Sequence, residues 1–309
     1  MKGRWIQNVR KRWQGWKTGR WPARRHRTDA AAAWLFLAPS GAGFALFYLI
    51  PFAMGVFYSV LDSPVDGHFA GLANYRELLA SGSFRKAAAN SAYFSAVGVP
   101  LNLAISLGLA LLLNKSLYLR RWLRTAYVLP LVVPVASIVL VWQILIDWNG
   151  SLNAWLSAFG WERTDWMKTG SARNVVVVVY LWKNVGYNVI LFLAGLQQIP
   201  QDYYETAQIE GAGRWRRFSG ITLVYLIPAM FVVAIMSIMN SFKVFRETYL
   251  IAGDYPHDSI YMLQHYMNNM FLSLDIQKLT AAATLMAGGI LLIVLGLFAV
   301  ERRYRQFME

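Results

Sequence analysis

Six long apolar segments dominate the pattern of hydrophobic and polar positions along this chain. They lie at approximately 33–60, 88–113, 125–146, 174–196, 220–241 and 280–300. Each is about as long as the roughly 20 apolar residues that a helix needs to cross the hydrocarbon of a bilayer. A membrane-spanning β-barrel would instead show many short segments of alternating polarity. The pattern therefore predicts an all-α integral membrane protein with six transmembrane helices.

Composition supports a membrane protein and excludes several kinds of chemistry. Hydrophobic residues make up 57% of the 309 positions and charged residues only 15%, which is too apolar for a soluble domain of this length. Cysteine is absent, so disulfides and thiolate chemistry are excluded. We expect no metal site, because the four histidines form no ligand pair. Asp254, His257 and Asp258 cluster before the last span, where a solvated loop is the simpler interpretation.

The distribution of Lys and Arg predicts how the chain is oriented. Ten basic residues precede Asp29, and they hold most of the net charge of +14. Further basic residues follow the second and fourth spans and end the chain. The positive-inside rule places all these segments, and so both termini, in the cytoplasm. We therefore predict a basic cytoplasmic segment at 1–30, a transmembrane domain at 31–302 and a short cytoplasmic tail at 303–309 of a plasma-membrane protein.

Tryptophans interleave with the charges of segment 1–30, a pattern that could indicate nucleic-acid binding. Next to a first span, however, a polybasic segment attracted to anionic lipid explains the same composition. We expect membrane lipid, and no nucleic acid, as the partner of this segment. Its great length and the lack of an A-x-A site differ from a cleaved signal peptide. The first span is therefore expected to remain in the membrane.

The connection between the fourth and fifth spans carries the most specific motif of the chain. It runs from Glu205 to Pro228 as ETAQIEGAGRWRRFSGITLVYLIP, and its informative residues are Glu205, Ala207, Gly211, Ala212, Phe218, Ile221, Thr222, Leu223 and Pro228. On these residues the connection resembles the cytoplasmic EAA loop of permease subunits in binding-protein-dependent ABC importers. Two residues depart from the family pattern. Thr206 stands where the pattern usually has a second alanine, and Val224 stands where a proline usually follows the ITL triplet.

This resemblance implies a carbohydrate-type, maltose-transporter-like inner-membrane component. Its fold would be a type I ABC importer permease bundle with a cytoplasmic coupling helix, here within a loop at about 197–218. The segment 242–278 is likewise similar to the outer loop and short helices of carbohydrate permeases. The implied partners are a second permease subunit in a heterodimer, two ATP-binding subunits and an extracytoplasmic solute-binding protein.

The local sequence of this connection predicts a helix, an elbow and a second helix. The first helix extends from about Pro200 to Ile209, and Gly211 then interrupts it. Small residues at the elbow would let it enter a cleft of the ATPase, and the charges on either side suit contacts with a protein surface. The predicted ATPase-coupling residues are Glu205, Ala207, Gly211, Ala212, Arg214 and Phe218. An amphipathic connector lying on the inner membrane surface is the alternative.

Polar residues recur at helical spacing in the fourth and fifth spans. We predict that they line a substrate path, because hydroxyl groups, amides and rings suit a sugar. The residues are Tyr180, Asn184, Tyr187, Asn188, Ser237, Asn240 and Ser241. Interhelical hydrogen bonds that only pack the spans together are an equal alternative. For Lys183 the sequence leaves three roles open: lining the path, pairing with an acid of the partner permease, or extending towards the membrane surface.

We therefore predict the permease subunit of an ATP-driven ABC importer that moves a sugar or oligosaccharide into the cell. The chain has no G-x-x-x-x-G-K-[ST] motif, so we expect no cofactor and no enzymatic activity of its own, with ATP and Mg bound by the partner ATPase subunits. The alternatives are a non-sugar solute such as a polyol, an ion-coupled secondary transporter and a membrane-embedded enzyme. No acid lies well inside a predicted span and no acidic or histidine cluster converges, which disfavours the last two.

Overall fold

A computed structural model describes residues 23–114 and 120–305 of the chain. Apart from an isolated bridge between Leu61 and Phe69, the regular structure of these residues is helical. Six helical segments are long and apolar enough to cross a membrane: Ala32–Tyr58, Gly82–Leu113, Val135–Ala158, Ala172–Gln197, Arg214–Ala252 and Ile276–Tyr304. The prediction of an all-α multi-pass membrane protein is confirmed. Most of the predicted basic segment 1–30 lies outside the described residues.

The first of two compact units ends at Phe57. Its helix consists of α1 (Ala23–Phe44), a π-helical turn (Ala45–Leu49) and the start of α2 (Ile50–Tyr58). Pro51 has no N–H to donate to the preceding turn, and a wide turn next to such a proline keeps the other backbone groups paired. This unit supplies the first candidate span.

The second unit begins at Tyr58 and contains the remaining helices. They are α3 (Ala73–Ala80), α4 (Gly82–Leu113), α5 (Arg120–Val132), α6 (Val135–Ile146), α7 (Ser151–Ala158), α8 (Ala172–Gln197), α9 (Gln201–Ile209), α10 (Arg214–Arg217), α11 (Leu223–Phe242), α12 (Phe245–Ala252), α13 (Leu263–Leu272) and α14 (Ile276–Arg305). A π-helical turn, Phe218–Thr222, joins α10 to α11, and a 3₁₀ turn, Asp258–Ile260, precedes α13.

The third predicted span, at approximately 125–146, is wrong in its continuity and in its bounds, since the candidate span there is Val135–Ala158. The structure breaks it into α5 and α6 at Val133 and Pro134. Pro130 and Pro134 stand four residues apart, and each removes one i→i−4 hydrogen bond from the same stretch of helix. Pro134 adopts extended dihedral angles, φ −56° and ψ 141°, and becomes the N-cap of α6.

The core of the second unit lies where α4, α8 and α11 meet. Ala110, Phe192 and Leu226 are completely buried there. Small residues allow this close approach, because a Cβ on Gly195 would come within 2.9 Å of Leu226. On the other side of α8, a Cβ on Gly186 would collide with the backbone of Tyr127 in α5. Glycines at such contacts are the usual way for membrane helices to approach closely.

Replacing Gly186 by Ala should destabilise the protein by forcing α5 away from α8. Overpacking of this kind typically costs about 1–3 kcal/mol, so the purified protein should unfold at a lower temperature in detergent. Gly108→Ala is the matched control, since a Cβ there meets nothing within 4 Å. Equal melting temperatures for the two variants would contradict the packing described above.

Candidate functional site

The connection between the fourth and fifth spans forms the predicted helix, elbow and helix. After α9 ends at Ile209, Gly211 has a φ of +78°, a left-handed conformation that glycine adopts at little cost. The N–H of Ala212 donates to the carbonyl of Ala207 at 2.8 Å, which closes the elbow. Gly213 then has φ −64° and caps α10 in an extended conformation. The predicted geometry of this segment is confirmed.

Two side-chain hydrogen bonds hold the two arms of this elbow together. The hydroxyl groups of Tyr204 and Thr222 lie 2.9 Å apart. Arg217 Nη1 donates to Gln208 Oε1 at 3.0 Å. The sequence analysis missed Tyr204 and Gln208, and it counted Arg217 only among the charges that suit a protein surface, because no spacing within one helix relates these residues across the turn. These two bonds brace α9 against the start of the fifth span.

The elbow presents charged and apolar side chains together. Of the predicted coupling residues, Glu205, Gly211 and Arg214 are exposed, and the other three, Ala207, Ala212 and Phe218, are half-buried. Two large apolar residues that the sequence analysis did not single out are even more exposed: Ile209 at 88% and Trp215 at 76%. Aromatic and Arg side chains are enriched among the residues that dominate binding at protein interfaces.

The polar stripes of the fourth and fifth spans meet inside the second unit. Tyr180 Oη donates to the carbonyl of Ser237 at 2.9 Å, and Asn188 Nδ2 donates to Ser237 Oγ at 2.8 Å. One turn further along α11, Ser241 Oγ donates to Ser95 Oγ of α4 at 3.0 Å. The four predicted path residues in these bonds, Tyr180, Asn188, Ser237 and Ser241, are all buried. In this conformation they join helices, as the packing alternative expects.

The other three predicted path residues are only partly covered. Asn184, Tyr187 and Asn240 are half-buried, and Asn184 Nδ2 donates to the carbonyl of Tyr180 in its own helix at 2.8 Å. These three therefore retain surface that a solute could contact. Whether any of the seven residues lines a substrate path stays a prediction.

The sequence analysis missed a third polar stripe on α4. Ser95, Asn102 and Ser106 face the same helices, and the last two are completely buried. Ser106 Oγ lies 3.3 Å from the carbonyl of Val185 in α8. Their spacing of i, i+7 and i+11 is that of one helical face, so the same test that found the other stripes could have found this one.

Lys183 makes a contact within its own chain that none of the three roles considered for it anticipated. Its ammonium group forms an ion pair with Glu247 in α12 of the same chain. Glu247 is 4% exposed, and its second oxygen, Oε2, has no hydrogen-bond partner among the described residues. Glu247 also lies inside the candidate span Arg214–Ala252. It lies beyond the fifth span as predicted from the sequence, 220–241, because the helical segment of the structure extends further.

The segment between the fifth and sixth spans is folded against its neighbours. Asn90 Nδ2 of α4 donates to the carbonyls of Asp258 and Tyr261 at 2.6 and 3.0 Å. The carboxylate of Asp258 pairs with Lys86 at 2.9 Å. Burial lowers the pKa of His265 to about 4, so this side chain is neutral at pH 7. Within the described residues, no three His, Asp or Glu side chains are grouped as metal ligands would be.

Removing either member of the Lys183–Glu247 pair should strongly destabilise the protein. Loss of one partner leaves a buried charge unpaired, which typically costs about 3–5 kcal/mol. Lys183→Met and Glu247→Met should each lower the unfolding temperature in detergent, and the double variant should recover much of the loss. Lys168→Met is the control, because its pair with Asp165 is exposed and such pairs contribute about 0–1 kcal/mol. Additive effects of the two single substitutions would refute the coupling.

Comparison with known proteins identifies the family. Residues 102–306 match the family model for the binding-protein-dependent transport system inner membrane component. The trehalose/maltose transport system permease protein MalF of Thermococcus litoralis is 33% identical, covering 74% of this chain and 79% of the relative. The sulfoquinovosyl glycerol transport system permease protein SmoG of Agrobacterium fabrum is 30% identical over 86% of this chain and 89% of its own length.

A solved structure shows that the fold is shared as well. A chain of a bacterial ABC transporter that imports the acidic polysaccharide alginate aligns with a TM-score of 0.77 at 23% identity, covering 90% of this chain and 99% of that one. The family match, the two relatives and the shared fold agree with the resemblance seen in the connection from Glu205 to Pro228. The chain belongs to the family of binding-protein-dependent transport system inner membrane components.

Proposed function

We propose that this chain is one permease subunit of an ATP-driven ABC importer that moves a sugar or oligosaccharide into the cell. Its relatives MalF and SmoG are named for the transport of trehalose and maltose and of sulfoquinovosyl glycerol, which supports a carbohydrate cargo. The observation that carries the coupling to ATP is the braced elbow between Gln201 and Thr222. It is exposed at its tip and continuous with the fifth span.

The elbow has the mechanical properties that a coupling element needs. Its two arms are joined by the Tyr204–Thr222 and Arg217–Gln208 hydrogen bonds. A displacement of α9 is therefore transmitted directly to the fifth span. From Arg214 onward the chain stays helical through the π turn to Phe242. The exposed Ile209 and Trp215 supply apolar contact area for a partner. Two ATP-binding subunits, which would hold ATP and Mg, are the partners that fit this element.

The other partners and the orientation follow from the same scheme. Arg214, Arg216 and Arg217 at the elbow, together with basic residues at the end of α14, favour a cytoplasmic location for these ends and for both termini. A second permease subunit completes the membrane path as a heterodimer. An extracytoplasmic solute-binding protein delivers the cargo at the opposite ends of the spans.

Within this chain, the half-buried Asn184, Tyr187 and Asn240 are the residues that touch the cargo in our proposal. Their amide and ring groups suit a hydroxylated solute. The buried residues Tyr180 and Ser237 then hold α8 against α11 without contacting the cargo. A polar residue that packs two helices can thus still be required for transport without contacting the solute.

Replacing Gly211 by Ala should uncouple transport from ATP without removing the protein from the membrane. A side chain in the left-handed conformation costs about 1–2 kcal/mol, so the elbow should relax to another shape. We expect weaker copurification of nucleotide-binding subunits in mild detergent. ATP-dependent uptake should also fall, measured in a deletion strain with a panel of labelled saccharides. Gly213→Ala is the matched control, since its φ of −64° suits any residue. Normal uptake by a well-expressed Gly211→Trp variant would refute the role of the elbow.

Reversing the charge of Glu205 should weaken the same association. Glu205→Lys places a cation at an exposed position of α9. This cation should repel the basic partner surface that Glu205 contacts in our proposal, and so reduce the fraction of ATPase subunits that copurify. Glu210→Lys makes the same charge change at another exposed position of the elbow. Equal loss in both variants would indicate a general charge effect on the membrane surface instead of a specific contact.

A further inference from the structure

A cavity of about 500 Å³ lies at the end of the fifth span that is opposite the elbow. It is bordered by the residues that follow α11, by one face of α13 and by the first turn of α14. The 20 residues of α11 correspond to about 30 Å at 1.5 Å per residue, so the cavity and the elbow lie at opposite ends of this helix. We call it the outer cavity.

The outer cavity adjoins one of the predicted path residues. Lys243, which lines it, directly follows α11, and its N–H donates to the carbonyl of Asn240 at 3.1 Å. Asn240 is half-buried. The cavity wall at Lys243 therefore begins within one helical turn of a residue of the proposed path.

Two cations in the outer cavity have no acidic partner among the residues that the structure describes. The structure describes the side chains of five lysines, and four of them form ion pairs: Lys86 with Asp258, Lys168 with Asp165, Lys183 with Glu247 and Lys278 with Glu77. Lys243 is the exception within this part of the chain. Arg246, three residues further on and also in the cavity wall, likewise has no carboxylate within 4.0 Å among the described residues.

The acids of the neighbouring segments contact residues other than Lys243 and Arg246. Glu247 pairs with Lys183, and Asp275 pairs with Lys278 at 3.1 Å. Asp254 accepts a hydrogen bond from Asn268 at 3.2 Å. Among the described residues, no carboxylate lies within 4.0 Å of Lys243 or Arg246, so both side chains can pair directly with an anion in this concave site.

The remaining walls of the outer cavity suit a sugar. Gln264 and Asn268 stand four residues apart on one face of α13 and offer amide groups. Phe245 and Phe271 supply aromatic rings beside them. Amides bind hydroxyl groups, rings pack against the apolar face of a pyranose, and an Arg guanidinium can bind a carboxylate, phosphate or sulfonate through two parallel hydrogen bonds.

From this arrangement we propose that the outer cavity binds a sugar that carries a negative charge, with Lys243 and Arg246 as the residues that select for it. The proposal rests on the proposed function and narrows its cargo to acidic sugars. It assigns the charge recognition to the membrane subunit itself, in addition to any selection by a binding protein.

The absence of cysteine allows a direct test of this electrostatic site. Gln264→Cys places a single thiol in the cavity wall of the full-length chain, purified with its accompanying subunits into phosphatidylcholine nanodiscs. The rates of modification by an anionic (sulfonatoethyl) and a cationic (trimethylammonioethyl) methanethiosulfonate are then compared. We expect the ratio of anion to cation rates to fall about tenfold when Lys243→Gln and Arg246→Gln are added. It should also fall with rising salt concentration.

Lys86→Gln is the matched control, because Lys86 belongs to the same unit but already pairs with Asp258 and does not line the cavity. It should leave the ratio unchanged. Galacturonate should slow the modification of the thiol, whereas galactose at the same concentration should not. These two sugars differ at one carbon, so protection by the acid alone reports recognition of its charge.

The proposal would be overturned if the rate ratio did not change on substitution of Lys243 and Arg246, or if galactose and galacturonate protected the thiol equally. Equivalent protection by phosphatidylglycerol in the nanodisc would also overturn it, because the site would then be one for lipid headgroups. Failure of the proposed function has a separate signature. In that case no nucleotide-binding protein copurifies with the chain, whatever the modification rates are.

Discussion

The hydrogen bonds that join α4, α8 and α11 are the interaction on which the rest of the structure depends. In a membrane the apolar surfaces of helices gain little from leaving lipid, so close packing and buried polar contacts must hold the spans together. Ser237 receives a bond from Tyr180 and another from Asn188, which fixes both the distance and the rotation of α8 against α11. The small residues Gly186 and Gly195 allow the same helix to approach its neighbours on two sides.

With α11 fixed in this way, the fifth span connects the elbow at one end to the ion pair and the outer cavity at the other. At one end the π turn Phe218–Thr222 joins the elbow to the span, and Thr222 in that turn also contacts Tyr204 of α9. Wide turns of this kind are rare and often mark functional positions in helices. At the other end, α12 folds back so that Glu247 reaches Lys183 in α8. Both the ion pair and the outer cavity therefore lie towards the end of this span that is opposite the elbow.

The features that local sequence determines could be predicted, and those that depend on distant contacts could not. The spans follow from runs of apolar residues, and the elbow follows from Gly211, whose conformation is set by its immediate neighbours. The Lys183–Glu247 pair joins residues 64 positions apart, and no periodicity indicates it. The polar stripes show the intermediate case, because their spacing reveals a shared face but cannot distinguish a face that binds solute from one that binds another helix.

A comparison of Lys183 with Lys243 distinguishes a lysine that is paired for stability from a lysine that can bind an anion. A lysine at the centre of a span costs about 2.5–3.5 kcal/mol on insertion scales, so Lys183 needs an acid for the protein to be stable, and Glu247 supplies it. Lys243 follows the end of α11 and is exposed, and a hydrated cation of this kind requires no partner for folding. Stability therefore accounts for the pair at Lys183 but gives no reason to collect Lys243 and Arg246 in one concave site with amides and rings. Recognition of an anion does give such a reason, because it needs cations that are not already neutralised from within the chain.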